Sequence, residues 1–301
     1  MSIFCNQCNA ENKTGTENCR ECGCPLSCDD EKNCSYEQSL LKTVSPAEKD
    51  ELDKLVSSGE LLSSEMNPLH VAAIRGDVGS IESLVSSGID VNIRGMYGWA
   101  PLHFAADRIQ GDAVQALLLH KADPNRGNSE GKTPLHLATF RGDIDIVRLL
   151  IHNGVNPDVH SRDGSTSLHL AALRGFVNVA EFLIKSGATV NSRDNMDRTP
   201  LDYACLEGRA NVVDLLISKG AEINVKAFDG WTPLHQAASR GHIDIVKMLI
   251  NANAEVNQSD RDNNTPLDMA QFYEHRDVEK VLIEMGAEKK PFWNRFYGIK
   301  L

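Results

Sequence analysis

Four of the eight cysteines stand at a spacing that is typical of metal ligands. They form two Cys-x-x-Cys pairs with ten residues between them: Cys5, Cys8, Cys19 and Cys22. Four thiolates brought together in this way suit Zn²⁺ in a tetrahedral site. Because the protein supplies all four ligands, no coordination position stays open for a substrate. The pattern therefore predicts a structural zinc ion and argues against a catalytic one.

The other cysteines do not extend this pattern. Three follow it closely, and we interpret them as free thiols or alternative ligands: Cys24, Cys28 and Cys34. The eighth, Cys205, stands alone and is interpreted as a small buried residue. A disulfide framework would need a secretion signal, which the first residues do not show, and a redox Cys-x-x-Cys would need a βαβ context larger than ~25 residues.

The segment 4–26 resembles the short zinc-ribbon family. A small residue follows the second cysteine of each pair in that family; here Gly23 follows one pair, and Asn9, the next most tolerant residue for a positive φ, follows the other. Pro-Leu closes the segment, as it often does in that family. The resemblance implies a domain of residues 1–26 that folds around zinc, whose binding contributes about 10–16 kcal/mol in comparable peptides. An acidic linker, residues 27–44, follows it.

Histidine is the other residue type here that could do chemistry. Five of the ten histidines recur at one position of a repeated motif: His70, His103, His136, His169 and His235. Each stands alone in its unit, so the spacing provides neither a metal site nor a base beside a nucleophile. The sequence also contains no glycine-rich phosphate loop. We therefore expect a protein that is not an enzyme.

The motif itself, Thr-Pro-Leu-His or a close variant, recurs every 33 residues. Its seven copies begin at these residues: Asn67, Ala100, Thr133, Thr166, Thr199, Thr232 and Thr265. A fixed period of this length predicts a solenoid of stacked units. Such arrays usually bind other molecules along a repetitive surface.

Each unit is predicted to contain two helices and a polar hairpin. In the third unit, Thr133 is a suitable N-cap and Pro134 a suitable first helical residue. Apolar residues at helical spacing then predict a second helix over 144–151, which Gly154 ends. In the second unit, by contrast, alanine, isoleucine and lysine replace the capping threonine and the two glycines, which predicts a less stable repeat.

The stretch 229–250 resembles the ankyrin-repeat family almost throughout: Asp-Gly-Trp-Thr-Pro-Leu-His-Gln-Ala-Ala-Ser-Arg-Gly-His-Ile-Asp-Ile-Val-Lys-Met-Leu-Ile. The resemblance implies a mostly α-helical ankyrin-repeat solenoid of seven repeats over residues 67–290. A partial repeat at 45–66, opened by a capping box, is expected to cap the stack. An aromatic, basic tail follows at 291–301, and it either folds back on the last repeat or docks on a partner or membrane.

Composition narrows the class of protein. Apolar residues make up 41% and charged residues 24%, as in ordinary ordered proteins, and the net charge is −11. That charge argues against unspecific binding to nucleic acid or anionic membranes. No apolar run reaches the ~18 residues of a membrane helix. We expect a cytoplasmic or nuclear protein that is monomeric and has no small-molecule substrate.

In ankyrin-like stacks, partners are bound by the hairpin tips and the exposed side of the first helix. The aromatic, aliphatic and arginine residues predicted there are Met96, Tyr97, Trp99, Arg108, Phe140, Arg141, Leu173, Arg174, Leu206, Phe228, Trp231 and Arg240. Aromatic residues and arginine dominate interface hot spots, and regularly spaced arginines favour an acidic protein segment. The sequence thus predicts a protein-binding adaptor or scaffold; the alternative is a nucleic-acid-associated regulator whose ribbon contacts RNA or DNA.

Overall fold

The computed structural model describes residues 66–289 together with the backbone of two short strands near the start of the chain. The chain divides into two compact units, Met1–Ser63 and Ser64–Leu301. The four predicted zinc ligands, the linker at 27–44, the tail at 291–301 and all of the partial repeat except Met66 lie outside the described residues.

The two strands of the first unit form an antiparallel pair. Strand β1 spans Ser2–Phe4 and strand β2 spans Glu11–Lys13. Ser2 pairs with Lys13, and Phe4 pairs with Glu11. In sequence, the two strands flank residues 5–10, which contain the first predicted Cys-x-x-Cys pair.

Seven helix pairs, repeats 1 to 7, make up the described part of the second unit. The inner helix of each pair begins at the repeated motif, and the outer helix follows after a short turn. In chain order they are α1 Pro68–Arg75, α2 Val78–Ser86, α3 Pro101–Asp107, α4 Gly111–Leu119, α5 Pro134–Arg141, α6 Ile144–His152, α7 Ser167–Arg174, α8 Val177–Lys185, α9 Pro200–Leu206, α10 Ala210–Ser218, α11 Pro233–Ser239, α12 Ile243–Asn251, α13 Pro266–Phe272 and α14 Arg276–Glu284. Both helix series keep the 33-residue period, as the sequence predicts.

The repeated motif explains where the inner helices begin. At the start of α5, the backbone N–H of Thr133 donates to Nδ1 of His136 at 3.1 Å, and the threonine hydroxyl lies 2.9 Å from the same atom. Proline at the first helical position removes an N–H that would have no partner there. After the helix, Gly142 adopts φ 79°, the left-handed conformation that glycine tolerates best. Start and end are thus both encoded locally.

The core forms between successive repeats. Each inner helix packs against the inner helices of its neighbours, and each outer helix packs against its own inner helix and the adjacent outer helices. The motif leucines lie at these contacts, and Leu135, Leu168 and Leu201 are at most 1% exposed. A single repeat could not bury these side chains, so the helices depend on stacking for their stability.

Hairpins, here called fingers, connect the repeats. Fingers 2 to 7 are numbered by the repeat that they precede and span 87–100, 120–133, 153–166, 186–199, 219–232 and 252–265. Backbone hydrogen bonds link their tips: Arg162 N donates to Glu130 O at 2.7 Å, and Phe228 N to Met196 O at 2.9 Å. Further along, Asn224 Oδ1 accepts from Glu255 N at 2.9 Å. The fingers therefore form a connected edge.

Repeat 2 carries the irregular backbone that its sequence predicts. Ile109 and Lys121 replace glycines and have φ of 58° and 68°. Isoleucine is branched at Cβ and is a rare occupant of this region. Ala100, at the helix start, offers no side-chain cap. Within residues 66–289, no helix is long and apolar enough to span a membrane.

Candidate protein-interaction surface

The motif histidines join neighbouring repeats. Nδ1 of each accepts a backbone N–H of its own repeat, so the network assigns the proton to Nε2. His70 bonds a carbonyl 23 residues further along. In the others Nε2 donates to the carbonyl 29 residues further along: His103 to Lys132 O at 3.1 Å, and His169 to Arg198 O at 3.0 Å. His136 and His235 make the same bond. These side chains are structural, as the resemblance implied.

Burial keeps these histidines neutral. It lowers the pKa of His103, His136 and His169 from 6.5 to about 4, and it lowers the pKa of His70 and His235 as well. A neutral imidazole with both nitrogens in hydrogen bonds has no free lone pair for proton transfer. The histidine column holds repeats together and offers no general base.

In repeat 5, Asp202 takes the place of the motif histidine. Its Oδ2 accepts from the backbone N–H and the hydroxyl of Thr199 at 2.8 and 2.7 Å. Its Oδ1 is buried without a hydrogen-bond partner within residues 66–289. Burial raises the pKa of this carboxyl to about 7. Aspartate is too short to provide the donor that histidine extends to the next repeat, so the bond across this boundary is lost.

Catalytic or metal chemistry finds no support among the side chains of residues 66–289. No group of three or more His, Cys, Asp and Glu residues there is arranged to hold a metal ion. Cys205 is fully buried, and burial raises the pKa of its thiol well above the usual value. A buried, protonated thiol is a poor nucleophile.

Arg141 and Arg174, the last residues of α5 and α7, each pack on the preceding repeat. Nη2 of Arg141 lies 2.7 Å from Oδ1 of Asp107, and its Nε donates to the same oxygen at 2.9 Å. The guanidinium of Arg174 lies 4.7 Å from the ring centroid of Phe140, which is only 5% exposed. The predicted binding residues Arg141, Arg174 and Phe140 are therefore also part of the contacts between repeats.

The remaining predicted residues of the inner-helix ends differ in exposure. Leu173 is 6% exposed, and Leu206 and Arg108 are half-buried. Arg240 and Arg174 are exposed. The surface at this position is thus formed mainly by arginine side chains lying over buried apolar residues.

The predicted finger residues also divide into two groups. Tyr97 is 62% exposed and Phe228 is 47% exposed, while Met96 and Trp231 are half-buried. Trp99 is only 5% exposed, because its ring packs 4.9 Å from that of Phe104. The Trp99 ring therefore packs in the core beside finger 2 and contributes little to the exposed surface.

The fingers contain six arginines that the sequence patterns did not single out: Arg94, Arg126, Arg162, Arg193, Arg198 and Arg261. The guanidinium of Arg261 lies 4.1 Å from the ring centroid of Phe228. Arg94 is exposed, and Arg126 is half-buried at a position where three of the other fingers have isoleucine or valine. A comparison of the repeats position by position would have revealed Arg126, because an arginine replaces the apolar residue of those fingers.

The fold and surface together define a helical repeat protein with a connected, finger-lined face rich in arginine and aromatic side chains. Family comparison agrees. Matches to the family described as "Ankyrin repeats (3 copies)" cover residues 33–128, 69–161, 110–194, 135–227 and 225–292. The chain therefore belongs to the ankyrin-repeat family, whose repeats typically serve as non-enzymatic protein-interaction modules.

A solved relative supports this assignment. The chain is similar to the crystal structure of the human ASB11 ankyrin repeat domain, with 26% identity and a TM-score of 0.65. The alignment covers 75% of this chain and 100% of that chain. In total, 622 chains of solved structures match, so the fold alone does not indicate a partner. No curated protein matches the sequence.

Proposed function

We propose that the ankyrin stack is a protein-binding adaptor whose partner contacts the fingers and the arginine ends of the inner helices. One observation carries the proposal: Tyr97 and Phe228, both large and exposed, stand on fingers whose backbones are fixed by hydrogen bonds between repeats. Rigid aromatic residues lose little conformational entropy on binding. Exposed Arg174 and Arg240 favour a partner segment that carries carboxylates.

Site-specific photo-cross-linking of the full chain tests which face binds. A benzophenone amino acid at position 97, 174 or 228 is expected to give discrete protein adducts in extract of the native cells. The same group on the outer helices, at exposed Gln115 or Lys247, serves as the matched control. Adducts at the outer positions, with none at the fingers, would contradict the proposed surface.

We further propose that the first unit holds one structural zinc ion through Cys5, Cys8, Cys19 and Cys22. The β1–β2 pairing supports this, because the two paired strands flank the sequence that contains the first Cys-x-x-Cys pair. Bound zinc would supply folding free energy and no chemistry. In this proposal the protein is a monomer of the cytoplasm or nucleus, where thiols stay reduced.

Elemental analysis of the purified full chain tests the zinc proposal. The unmodified protein is expected to contain about one Zn²⁺ per chain, as four thiolate ligands complete one tetrahedral site. Cys5→Ser or Cys19→Ser should lower that content sharply, whereas Cys28→Ser should leave it unchanged. Equal zinc content in all four proteins would refute the assigned ligands.

A further inference from the structure

Arg126 occupies a position that other fingers fill differently. The residues at this position in fingers 2 to 7 are Ile93, Arg126, Val159, Ser192, Val225 and Gln258. Val225 is 6% exposed, so the side chain at this position is buried under its finger. Nε of Arg126 is likewise buried, and it has no hydrogen-bond partner within the described part of the chain. A charged side chain occupies a position where the fold accepts valine, and a buried donor without a partner destabilises the folded state.

A second arginine lies beside the first. Nη2 of Arg94 donates to Gly127 O at 3.4 Å, which places this exposed side chain next to Arg126. Both arginines influence His103. Burial is the largest cause of the lowered pKa of His103, and the positive charges of Arg94 and Arg126 lower that pKa further. At His169, by contrast, Asp194 acts in the opposite direction. The base of fingers 2 and 3 is therefore a locally positive place in an acidic protein.

Nearby carboxylates have other partners. Glu130 lies 2.9 Å from Lys132. Asp90 and Asp123 each accept a backbone N–H two residues further along their own finger, at 2.9 and 3.0 Å. Asp107 binds Arg141 across the next boundary. None of these contacts involves the side chain of Arg94 or Arg126.

Apolar surface adjoins this pair. Tyr97, three residues after Arg94, is 62% exposed and has φ 54°, a left-handed conformation that is uncommon for a bulky residue. Its carbonyl accepts from Ser129 N at 2.9 Å, which fixes it against finger 3. Met96 beside it is half-buried. Strain that the surrounding structure maintains is a frequent property of binding sites.

We propose that Arg94, Met96, Tyr97 and Arg126 form a docking site on fingers 2 and 3 for an acidic peptide segment of the partner. A carboxylate of the segment binds the two guanidinium groups, and an adjacent apolar side chain packs on Tyr97 and Met96. Hydrogen bonds between a guanidinium group and a carboxylate are charge-assisted and stronger than neutral ones. The net charge of −11 opposes a nucleic acid, which carries a phosphate at every nucleotide, more than a peptide segment that pairs a carboxylate with an apolar side chain. This site rests on the proposed protein-binding function and locates its principal contact.

Fluorescence anisotropy with the full chain tests the site. The probe is a fluorescein-labelled peptide of repeated Glu-Glu-Phe units, and a Gln-Gln-Phe peptide is its uncharged control. Arg126→Val is expected to weaken binding of the first peptide by about tenfold, since one well-placed charge-assisted contact is removed. The variant should unfold at a higher temperature than the unmodified chain, so loss of binding would not reflect misfolding.

The matched control is Arg193→Gln, which removes an arginine from the position of Arg94 in finger 5. It is expected to change affinity less than about twofold, as rim charges do. Equal losses in both variants, equal affinity for the two peptides, or preferred binding of an oligouridine probe would overturn the site. If the peptide does not bind while cross-linking at position 174 or 228 still captures protein, this site is wrong and the proposed function stands.

Discussion

Lowering the pH from 7 to 4 is expected to reduce the free energy of unfolding of the ankyrin stack by several kcal/mol. In the folded chain, burial lowers the pKa of His103, His136 and His169 to about 4, against 6.5 when exposed. Between these values the unfolded chain binds protons that the folded chain does not. The stability that the histidines contribute is therefore complete above pH 6.5 and lost as the pH falls toward 4, by about 3 kcal/mol each.

Asp202 opposes this trend. Its pKa is raised from 3.8 to about 7, so the folded chain holds a proton that the unfolded chain has released. Its contribution is largest below pH 3.8 and is lost as the pH rises through 7, about 4 kcal/mol in total. One such carboxyl offsets part of the histidine effect without reversing it.

Urea unfolding at pH 7.5, 6, 5 and 4.5, followed by circular dichroism, measures the effect. Asp202→Asn should steepen the fall in stability toward acid, because the opposing proton uptake disappears. His136→Gln should make the free energy of unfolding fall less steeply with decreasing pH, because one group that binds a proton only in the unfolded chain is removed. A stability that does not change between pH 7 and pH 4.5 would show that the histidines are not held neutral. Unequal transitions by different probes would indicate stepwise unfolding of the array.

Asp194→Ala is expected to destabilise the stack by about 3–5 kcal/mol, because it breaks a buried ion pair and removes the acceptor of several buried donors. Oδ2 of Asp194 lies 2.9 Å from Nη2 of Arg198 and accepts the Tyr203 hydroxyl at 2.7 Å. Oδ1 accepts the backbone N–H of Met196 and of Arg198 at 2.8 and 2.9 Å. The carboxylate side chain is fully buried. Removing the Asp194 carboxylate takes an acceptor away from several donors at once.

Thermal and urea unfolding of matched variants checks this prediction. Asp197→Ala removes an exposed carboxylate 4.0 Å from Arg193 and places alanine at φ 58°, so it should destabilise the stack by about 1 kcal/mol. The double variant Asp194→Ser/Arg198→Ser installs the residues that finger 4 has at these positions, Ser161 and Ser165. It should recover part of the loss, since both partners of the ion pair are gone. A loss for Asp194→Ala no larger than for Asp197→Ala would contradict the stabilising role.

Much of the fold could be predicted because its signals are local. The 33-residue period, the threonine and proline at most inner-helix starts and the following glycines are signals within a single repeat, and most repeats display them again. The role of the motif histidines came from the family resemblance and is confirmed by their bonds to the next repeat. The zinc site and the binding residues stay predictions.

The sequence by itself determined the repeat architecture, the helix boundaries and the residue types available on the fingers. Only the tertiary structure decided which of those side chains face outward. Arg141 meets Asp107 at a separation of 34 residues, and Arg209 Nε reaches Leu173 O at a separation of 36. Such contacts depend on the offset between neighbouring repeats, which no single repeat encodes. For the same reason, the burial of Trp99 and the unsatisfied Nε of Arg126 appear only once the repeats are stacked.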